Sequence, residues 1–163
     1  MRVSDVENIL LSFREQGWER DKTVLEKYWV EQNEGLRSVI IGEMDGTVAG
    51  YATVLKQAVH GPFTDQSIPE ITDFNVFKKY QRQGVGSTIL DKCEAVAFEQ
   101  SKTISIGVGL HSGYGAAQRL YVKRGFIPDG SGAWYKNSRL PMKALCHNDD
   151  ELVLYFSKTN TNK

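Results

Sequence analysis

The amino-acid sequence predicts a single domain of mixed α/β class, with a partly antiparallel sheet and about four helices. Three observations carry this prediction. Apolar residues recur at helical spacing in four segments, two apolar runs flank an Asp45-Gly46 turn, and an apolar β-branched run lies between two helical segments. A hairpin pairs its strands in antiparallel fashion, whereas strands joined through a helix need a crossover.

The first 35 residues predict two helices. The first begins with "SDVE", in which Ser4 and Glu7 have the spacing of a capping box, and it ends at Gly17. The second runs from about Asp21 to near Gly35, because apolar residues recur there three and four apart.

Strands and helices alternate through the rest of the chain. The expected elements are a hairpin over 37–56, a loop over 58–69, a strand over 70–77, a helix from Val85 to about Gln100, a buried strand over 103–110 and a short helix ending at Gly125. "PDGSG" predicts a turn, "AWYKN" a short strand and "ELVLYFSK" a final strand that ends at Lys158, which leaves 159–163 as a disordered tail.

Composition excludes several classes of function. The chain has 163 residues with 20 basic and 20 acidic side chains and no long run of one charge, so no nucleic acid partner is expected. No apolar stretch approaches the roughly 18 residues of a membrane helix, and no signal peptide is evident. Cys93 and Cys146 lack metal-ligand spacing, so we expect two buried thiols, no metal and a soluble protein of the cytoplasm.

The stretch "KYQRQGVGSTIL", 79–90, places two glycines between a strand and a helix. Free backbone N–H groups at a helix start favour an anion, and glycine lets a phosphate approach closely. A tight turn that needs glycine only for its backbone angles is the alternative. Two nucleotide motifs are excluded, because Ser87 follows Gly86 without the lysine of a Walker A loop and Ile89 replaces the third glycine of a dinucleotide fingerprint.

Two motifs in order resemble those of the GNAT family of N-acetyltransferases. Residues 81–86, "QRQGVG", are similar to the family pattern Q/R-x-x-G-x-G/A. Residues 116–126, "AAQRLYVKRGF", look like the family segment A-x-x-L-Y-x-K-x-G-F. One helix and one strand separate the two motifs, as in the family, and the resemblance covers about 43–126.

This resemblance implies a GNAT-like domain whose sheet splays between its two middle strands, 70–77 and 103–110. It implies acetyl-CoA as co-substrate and an acyltransferase reaction in which a primary amine attacks directly in a ternary complex. The residues it implies for cofactor binding are Phe74, Asn75, Val76, Gln81, Arg82, Gln83, Gly84, Val85, Gly86 and Ser87. Tyr114 stands where the family often has an asparagine that holds the pantetheine, and we expect it to contact the cofactor, with a place in the acceptor pocket or over the helix start as alternatives. The resemblance also implies that a backbone amide near Val76 polarises the thioester carbonyl.

Tyr121 matches the family tyrosine that gives a proton to the departing thiolate, so it is the predicted general acid. The general base stays open, because Thr72 stands where the family often has glutamate. Glu70 shares the strand face of Thr72 if no bulge intervenes, and Asp73 projects to the other face. His111, directly after a central strand, is a third candidate.

The acceptor is not specified by these motifs. A small-molecule amine is the first expectation, with a protein N-terminus or lysine as an alternative, and assembly as a homodimer stays open. Thr72 in place of the glutamate also leaves a second class open, a non-catalytic module that binds or senses acyl-CoA.

Overall fold

The computed structural model describes residues 1–161 and gives four α-helices and seven β-strands in that range. The helices are α1 (Ser4–Glu15), α2 (Lys22–Asn33), α3 (Val85–Gln100) and α4 (Gly115–Lys123). The strands are β1 (Arg37–Met44), β2 (Thr47–Leu55), β3 (Glu70–Val76), β4 (Thr103–Gly109), β5 (Ile127–Tyr135), β6 (Ser138–Arg139) and β7 (Leu152–Thr159). The predicted mixed α/β class is confirmed. Through residue 161, no helix has the length and apolar character needed to span a membrane.

The chain forms two compact units. The first comprises residues 1–55 and 71–96, and the second comprises 56–70 and the chain from Ala97 onward. Strand order is β1-β2-β3 in the first unit and β4-β7-β5-β6 in the second. Glu70, the first residue of β3, belongs with the second unit. The predicted splaying of β3 from β4, the two middle strands, stays a prediction.

The predicted hairpin is confirmed as β1 and β2. Met44 pairs with Thr47, and the two residues between them, Asp45 and Gly46, have φ of 48° and 74°. Two consecutive residues with positive φ make the turn whose twist suits a hairpin, and Asp-Gly favours it. Every residue of β2 after Thr47 is buried, so both faces of this strand are covered.

The core of the first unit forms where α1 and α2 pack on the hairpin. Ile9, Leu25 and Tyr51 are each 0% exposed and belong to one apolar cluster. Fully burying a leucine or isoleucine side chain contributes about 2 kcal/mol, so this cluster is a major source of stability for the helices.

The helix ends follow the predicted chemistry with one exception. Asp21 caps α2 by accepting the N–H of Thr23 at 2.8 Å, and Gly17 and Gly35 adopt left-handed conformations after α1 and α2. The predicted capping box at Ser4 is wrong. Ser4 is the first residue of α1 itself, and the N-cap position is held by Val3, whose side chain cannot accept a hydrogen bond.

In the second unit, β7 lies between β4 and β5 and pairs antiparallel with both. Ile104, Ile106 and Val108 of β4 alternate on one face and are at most 2% exposed. A smaller apolar cluster contains Ala58, Phe63 and Tyr155.

The predicted turn at "PDGSG" is wrong, because these residues lie inside β5. The strand pairs with β7 before and after them, at Ile127 and Ala133, and the register shifts between Pro128 and Ala133. Gly130 and Gly132 have φ of 87° and 85°, so the turn formers make an irregularity within a strand rather than its end.

The end of the chain is only partly described. Thr159 is the last residue of β7 and pairs with Thr103, so the strand extends one residue beyond the predicted end at Lys158. Asn160 donates its N–H to the carbonyl of Lys102 at 2.8 Å. The rest of the predicted tail, 162–163, lies outside the described residues.

Candidate functional site

A glycine-containing loop joins β3 to α3. Gly84 has φ of 85°, a left-handed conformation that favours glycine, and its carbonyl accepts the N–H of Thr88 at 3.1 Å. The amides that follow, 85–87, therefore have no acceptor inside the helix. A Cβ at Gly84 would meet no atom of the described residues within 4 Å, so this side of the loop is open. Such a helix start favours an anion.

The glutamines of this loop brace its backbone. The Gln81 side-chain amide donates to the carbonyl of Val76 at 3.0 Å, and that of Gln83 donates to the carbonyl of Lys79 at 2.8 Å. Both residues are predicted cofactor contacts, and their side chains are exposed and bound to the protein's own backbone. The backbone N–H groups of the loop are therefore the better candidates for an anion.

A cavity of about 330 Å³ adjoins the same loop within the first unit. Residues 83–85 line one side of it and residues 40–44 of β1 line the other. Lys92 adds a positive charge to a lining that also holds Glu43. The loop thus borders a concave surface large enough for part of a small-molecule ligand.

Strand β3 is distorted at Asp73, whose φ is 47°. A left-handed residue interrupts the strict alternation of side chains along a strand. The strand faces of Glu70 and Asp73 therefore cannot be assigned from the number of residues between them. Further along, the carbonyl of Asn75 would lie 2.5 Å from a Cβ at Gly50, so the two strands approach closely only because position 50 is glycine.

Asp73 is held by several donors. It pairs with Arg20 from the segment between α1 and α2, accepts the Tyr51 hydroxyl at 2.9 Å and accepts the Asn75 side-chain amide at 2.9 Å. Burial, followed by the Asp73 charge, raises the pKa of nearby Tyr28 to about 12. These bonds occupy both oxygens of the carboxylate, which suits an anchor better than a general base.

Thr72, which occupies the family's glutamate position, is also engaged. Its hydroxyl lies 2.9 Å from the Thr53 hydroxyl and 3.4 Å from the Arg37 guanidinium. Arg37 in turn donates to Glu31 at 2.6 Å, and its guanidinium lies 4.2 Å from the ring centroid of Tyr28. Sequence reasoning missed this network, because Arg37 meets Thr53 and Thr72 across 16 and 35 residues and no local pattern links them.

Glu70 has different surroundings, within the second unit. Its side chain is 4% exposed, and Oε2 accepts the N–H of Val59 at 3.2 Å. The same oxygen lies 3.5 Å from Nδ1 of His60. The other oxygen, Oε1, makes no hydrogen bond within residues 1–161. Glu70 therefore has lone pairs available for a proton or a ligand.

His111 and Tyr114, which the sequence treats separately, meet at Asp150. Nε2 of His111 lies 2.9 Å from Asp150 Oδ1, and the Tyr114 hydroxyl donates to the same oxygen at 3.1 Å. The hydrogen bond from His111, with the one from Tyr114, lowers the pKa of Asp150. Nδ1 of His111 accepts the N–H of Gly113 at 3.1 Å. Both ring nitrogens are thus occupied, which disfavours His111 as a general base.

Tyr114 also closes on the end of β4. A Cβ at Gly109 would lie 2.4 Å from the Tyr114 ring, so the ring rests directly on that glycine. Gln118 donates to the Gly109 carbonyl at 2.8 Å. These contacts fix the start of α4, the helix that carries Tyr121.

Tyr121 is 4% exposed and packs against Phe126 with ring centroids 6.0 Å apart. The N–H of Phe126 donates to the Tyr121 carbonyl at 3.0 Å, and Gly125, with φ of 83°, ends the helix as predicted. The tyrosine is therefore fixed at a well-formed helix end.

Comparison with known proteins places this fold. The family model described as "Acetyltransferase (GNAT) family" matches residues 3–126. No curated protein sequence matches the chain.

Among solved structures, the chain is similar to ribosomal-protein-alanine N-acetyltransferase from Brucella melitensis, at 17% identity and a TM-score of 0.71, over 98% of this chain and 97% of that one. It is similar to an N-acetyltransferase from Staphylococcus aureus Mu50, at 15% identity and a TM-score of 0.70, over 98% of this chain and 94% of that one. It is also similar to yncA, a putative acetyltransferase from Salmonella typhimurium solved with its cofactor acetyl-CoA. The identity is 17% and the TM-score 0.70, over 100% of this chain and 92% of that one. At these identities the likeness establishes the fold.

Proposed function

Because this chain belongs to the acetyltransferase (GNAT) family, we propose that it is an N-acetyltransferase that moves the acetyl group of acetyl-CoA to a primary amine. The amine attacks directly in a ternary complex, and the acceptor is a small molecule. The observation that carries this proposal is the open loop at Gly84, whose helix-start amides suit the pyrophosphate of CoA.

The loop fits that group in its geometry and chemistry. Position 84 has no side chain, the amides of 85–87 lack helical acceptors, and the adjoining cavity provides space. Gln81 and Gln83 hold the loop in shape through their bonds to the backbone. Arg82, exposed and with φ of 59°, adds positive charge.

Acetyl-CoA supplies the acetyl group as a thioester, which an unprotonated amine attacks. The backbone of Phe74 to Val76 binds the pantetheine arm, and the amide near Val76 stabilises the negative charge that develops on the carbonyl oxygen. Tyr121 then gives its hydroxyl proton to the departing sulfur, which avoids release of a free thiolate.

Glu70 is the general base in this mechanism. The amine acceptor is mostly protonated at neutral pH, so one N–H bond must break before attack, and the proton passes to a lone pair of the base. Glu70 has an oxygen that no residue from 1 to 161 binds, whereas Asp73 and His111 use their acceptor atoms on protein donors.

The experiment that tests this function is amine-dependent release of CoA from acetyl-CoA, measured over small primary amines and a peptide with a free N-terminus. We expect release with small amines. Turnover with the peptide alone would favour a protein N-terminus as acceptor. Tight acetyl-CoA binding without release on any amine would favour a sensor module and contradict the proposal.

The loop is tested by Gly84→Asp, with Gly46→Asp as its control. Both glycines have positive φ, at 85° and 74°, and neither would place a Cβ near another atom. The aspartate at 84 brings a side chain and a negative charge to the anion site, so the Kd of acetyl-CoA should rise about 100-fold or more. Gly46→Asp should leave the Kd within about twofold, and equal effects would reject the loop as the binding site.

A further inference from the structure

Tyr155 of β7 has a buried ring and an unsatisfied hydroxyl. The residue is 5% exposed, and its hydroxyl makes no hydrogen bond to any part of the chain between residues 1 and 161. In the described range, the fully enclosed side-chain atoms without hydrogen-bond partners are Asp5 Oδ1 and Arg20 Nε, so the Tyr155 oxygen keeps access to solvent. The hydroxyl is therefore available to a hydrogen-bond partner that comes from solvent.

The carboxylate of Glu70 and the ring of Tyr155 contact the same short segment of chain, residues 59–61. The Tyr155 ring rests on Gly61, where a Cβ would lie 2.3 Å from the ring carbon that bears the hydroxyl. Two residues earlier, the N–H of Val59 donates to Glu70, and His60 between them lies 3.5 Å from the same carboxylate. Tyr155 and Glu70 therefore flank residues 59–61, and each has an unbonded oxygen.

The local charge is negative. Burial, together with the charges of Glu70 and Glu151, raises the pKa of Tyr155 above its ordinary value. These two carboxylates are the charged groups that act on the hydroxyl among the described residues, and His60, about half exposed, lies beside Glu70. Tyr155 is thus a neutral hydroxyl in a field that attracts a cation.

We propose that the Tyr155 hydroxyl oxygen and the unbonded Glu70 oxygen bind the ammonium group of the acetyl acceptor, a compact organic amine with no carboxylate beside that ammonium. This identification rests on the proposed function in treating the amine as the acetyl acceptor. Both oxygens that accept the ammonium N–H groups belong to the second unit.

The chemistry of the pair sets this class of ligand. An ammonium has N–H donors and no acceptor, and the site offers two oxygens, one of them charged. A carboxylate close to the ammonium would meet the like charges of Glu70 and Glu151. When the bound ammonium loses a proton, an N–H bond breaks, an O–H bond forms on Glu70, and the nitrogen keeps the electron pair for attack.

The test measures binding of amines to the full chain by calorimetry without acetyl-CoA. The probes are pentan-1-amine, 1,5-diaminopentane and 2-aminopentanoate, which each have five carbons, and of which the third alone carries a carboxylate beside its ammonium. We expect the two amines without a carboxylate to bind at least tenfold more tightly than 2-aminopentanoate.

Variants locate the binding. Glu70→Gln should raise the Kd of pentan-1-amine about 30-fold, because it removes a charged hydrogen-bond acceptor. Tyr155→Phe should raise it about fivefold, because it removes a neutral one. The matched control is Tyr135→Phe, since the Tyr135 hydroxyl is bonded to Asp149 at 3.3 Å. It should change the Kd by less than twofold.

The outcomes separate this site from the function. Absence of binding of all three probes to the unmodified chain at about 10 mM, or equal effects of Tyr155→Phe and Tyr135→Phe, would overturn the site. Acetyl transfer whose amine KM is the same in all variants would overturn the site and leave the function standing. Amine binding that depends on Tyr155 and Glu70 without acetyl transfer would support the site and remove the function.

Discussion

Glu70 and Asp73 lie three residues apart on β3, yet their carboxylates have opposite surroundings. Asp73 is paired with Arg20 and bonded by Tyr51 and Asn75, so both of its oxygens are occupied. Glu70 is more buried and uses one oxygen, while the other is unbonded within the described chain. Spare lone pairs, rather than exposure, distinguish a carboxylate that can accept a proton from one that holds a structure together.

The comparison gives the two residues separate expected effects. A carboxylate whose two oxygens are both hydrogen-bonded contributes to stability through its partners, and protonation would break those bonds. A buried carboxylate with one oxygen left without a partner contributes less to stability and is available to a ligand. We therefore expect loss of Glu70 to affect turnover and loss of Asp73 to affect folding.

The largest expected effect is that of Glu70→Gln on turnover. Removing the proton acceptor should lower kcat/KM for amines at least about 100-fold, within the usual range for a general base. The measurement is amine-dependent CoA release, corrected for the folded fraction of each protein. Asp73→Asn is the matched control and should retain kcat/KM within about tenfold. Equal losses in the two variants would remove the distinction.

The second effect is that of Asp73→Asn on stability. The substitution leaves the Arg20 guanidinium, whose side chain is 26% exposed, without its carboxylate partner. The free energy of unfolding should fall by about 2 kcal/mol, less than for a fully buried pair. Urea unfolding measures this loss, and replacing Arg20 by Met in the same chain should recover part of it. A loss below about 0.5 kcal/mol would show that Asp73 is no anchor.

The third effect compares two buried tyrosines. Tyr51→Phe removes a hydroxyl that donates to Asp73 at 2.9 Å, so unfolding should become easier by about 1 kcal/mol. Tyr155→Phe removes a hydroxyl with no partner in residues 1–161, so its cost should stay below about 0.5 kcal/mol. Thermal and urea unfolding of the two variants decide the order, and a larger loss for Tyr155→Phe would reverse our view of its surroundings.

The smallest effect concerns Asp150, a third carboxylate whose side chain is 77% exposed. The His111 hydrogen bond, then that of Tyr114, holds its pKa below the ordinary 3.8, so its contribution is present above that pH and is lost as pH falls through the folded-state pKa. Asp150→Asn should cost about 0.5 kcal/mol at pH 6 and almost nothing at pH 2. A difference from the unmodified chain that grows toward acid would contradict this sign.

Features set by neighbouring residues were predictable from the sequence. The Asp45-Gly46 turn, the glycines after α1, α2 and α4, and the glycine loop before α3 all follow from local backbone preferences. The family motifs at 81–86 and 116–126 are also made of residues that are close in sequence, so they were found without structural information.

Features set by distant partners were not predictable. Asp73 meets Arg20 across 53 residues and His111 meets Asp150 across 39, and no local pattern records such pairs. The turn formers of "PDGSG" stay inside β5 because β7 pairs with the strand on both sides of them. Tertiary contacts override local preference at each of these places.

The most direct test of the central claim compares the unmodified chain with Tyr121→Phe on the same samples. The Kd of acetyl-CoA and the rate of CoA release with pentan-1-amine are measured together, with the acetylated amine identified by mass spectrometry. We expect the Kd to agree within about threefold, and the turnover of Tyr121→Phe to fall at least tenfold because the leaving sulfur loses its proton donor. Equal turnover, or acetyl-CoA binding by the unmodified chain without any acetylated amine, would contradict the proposed acetyl transfer.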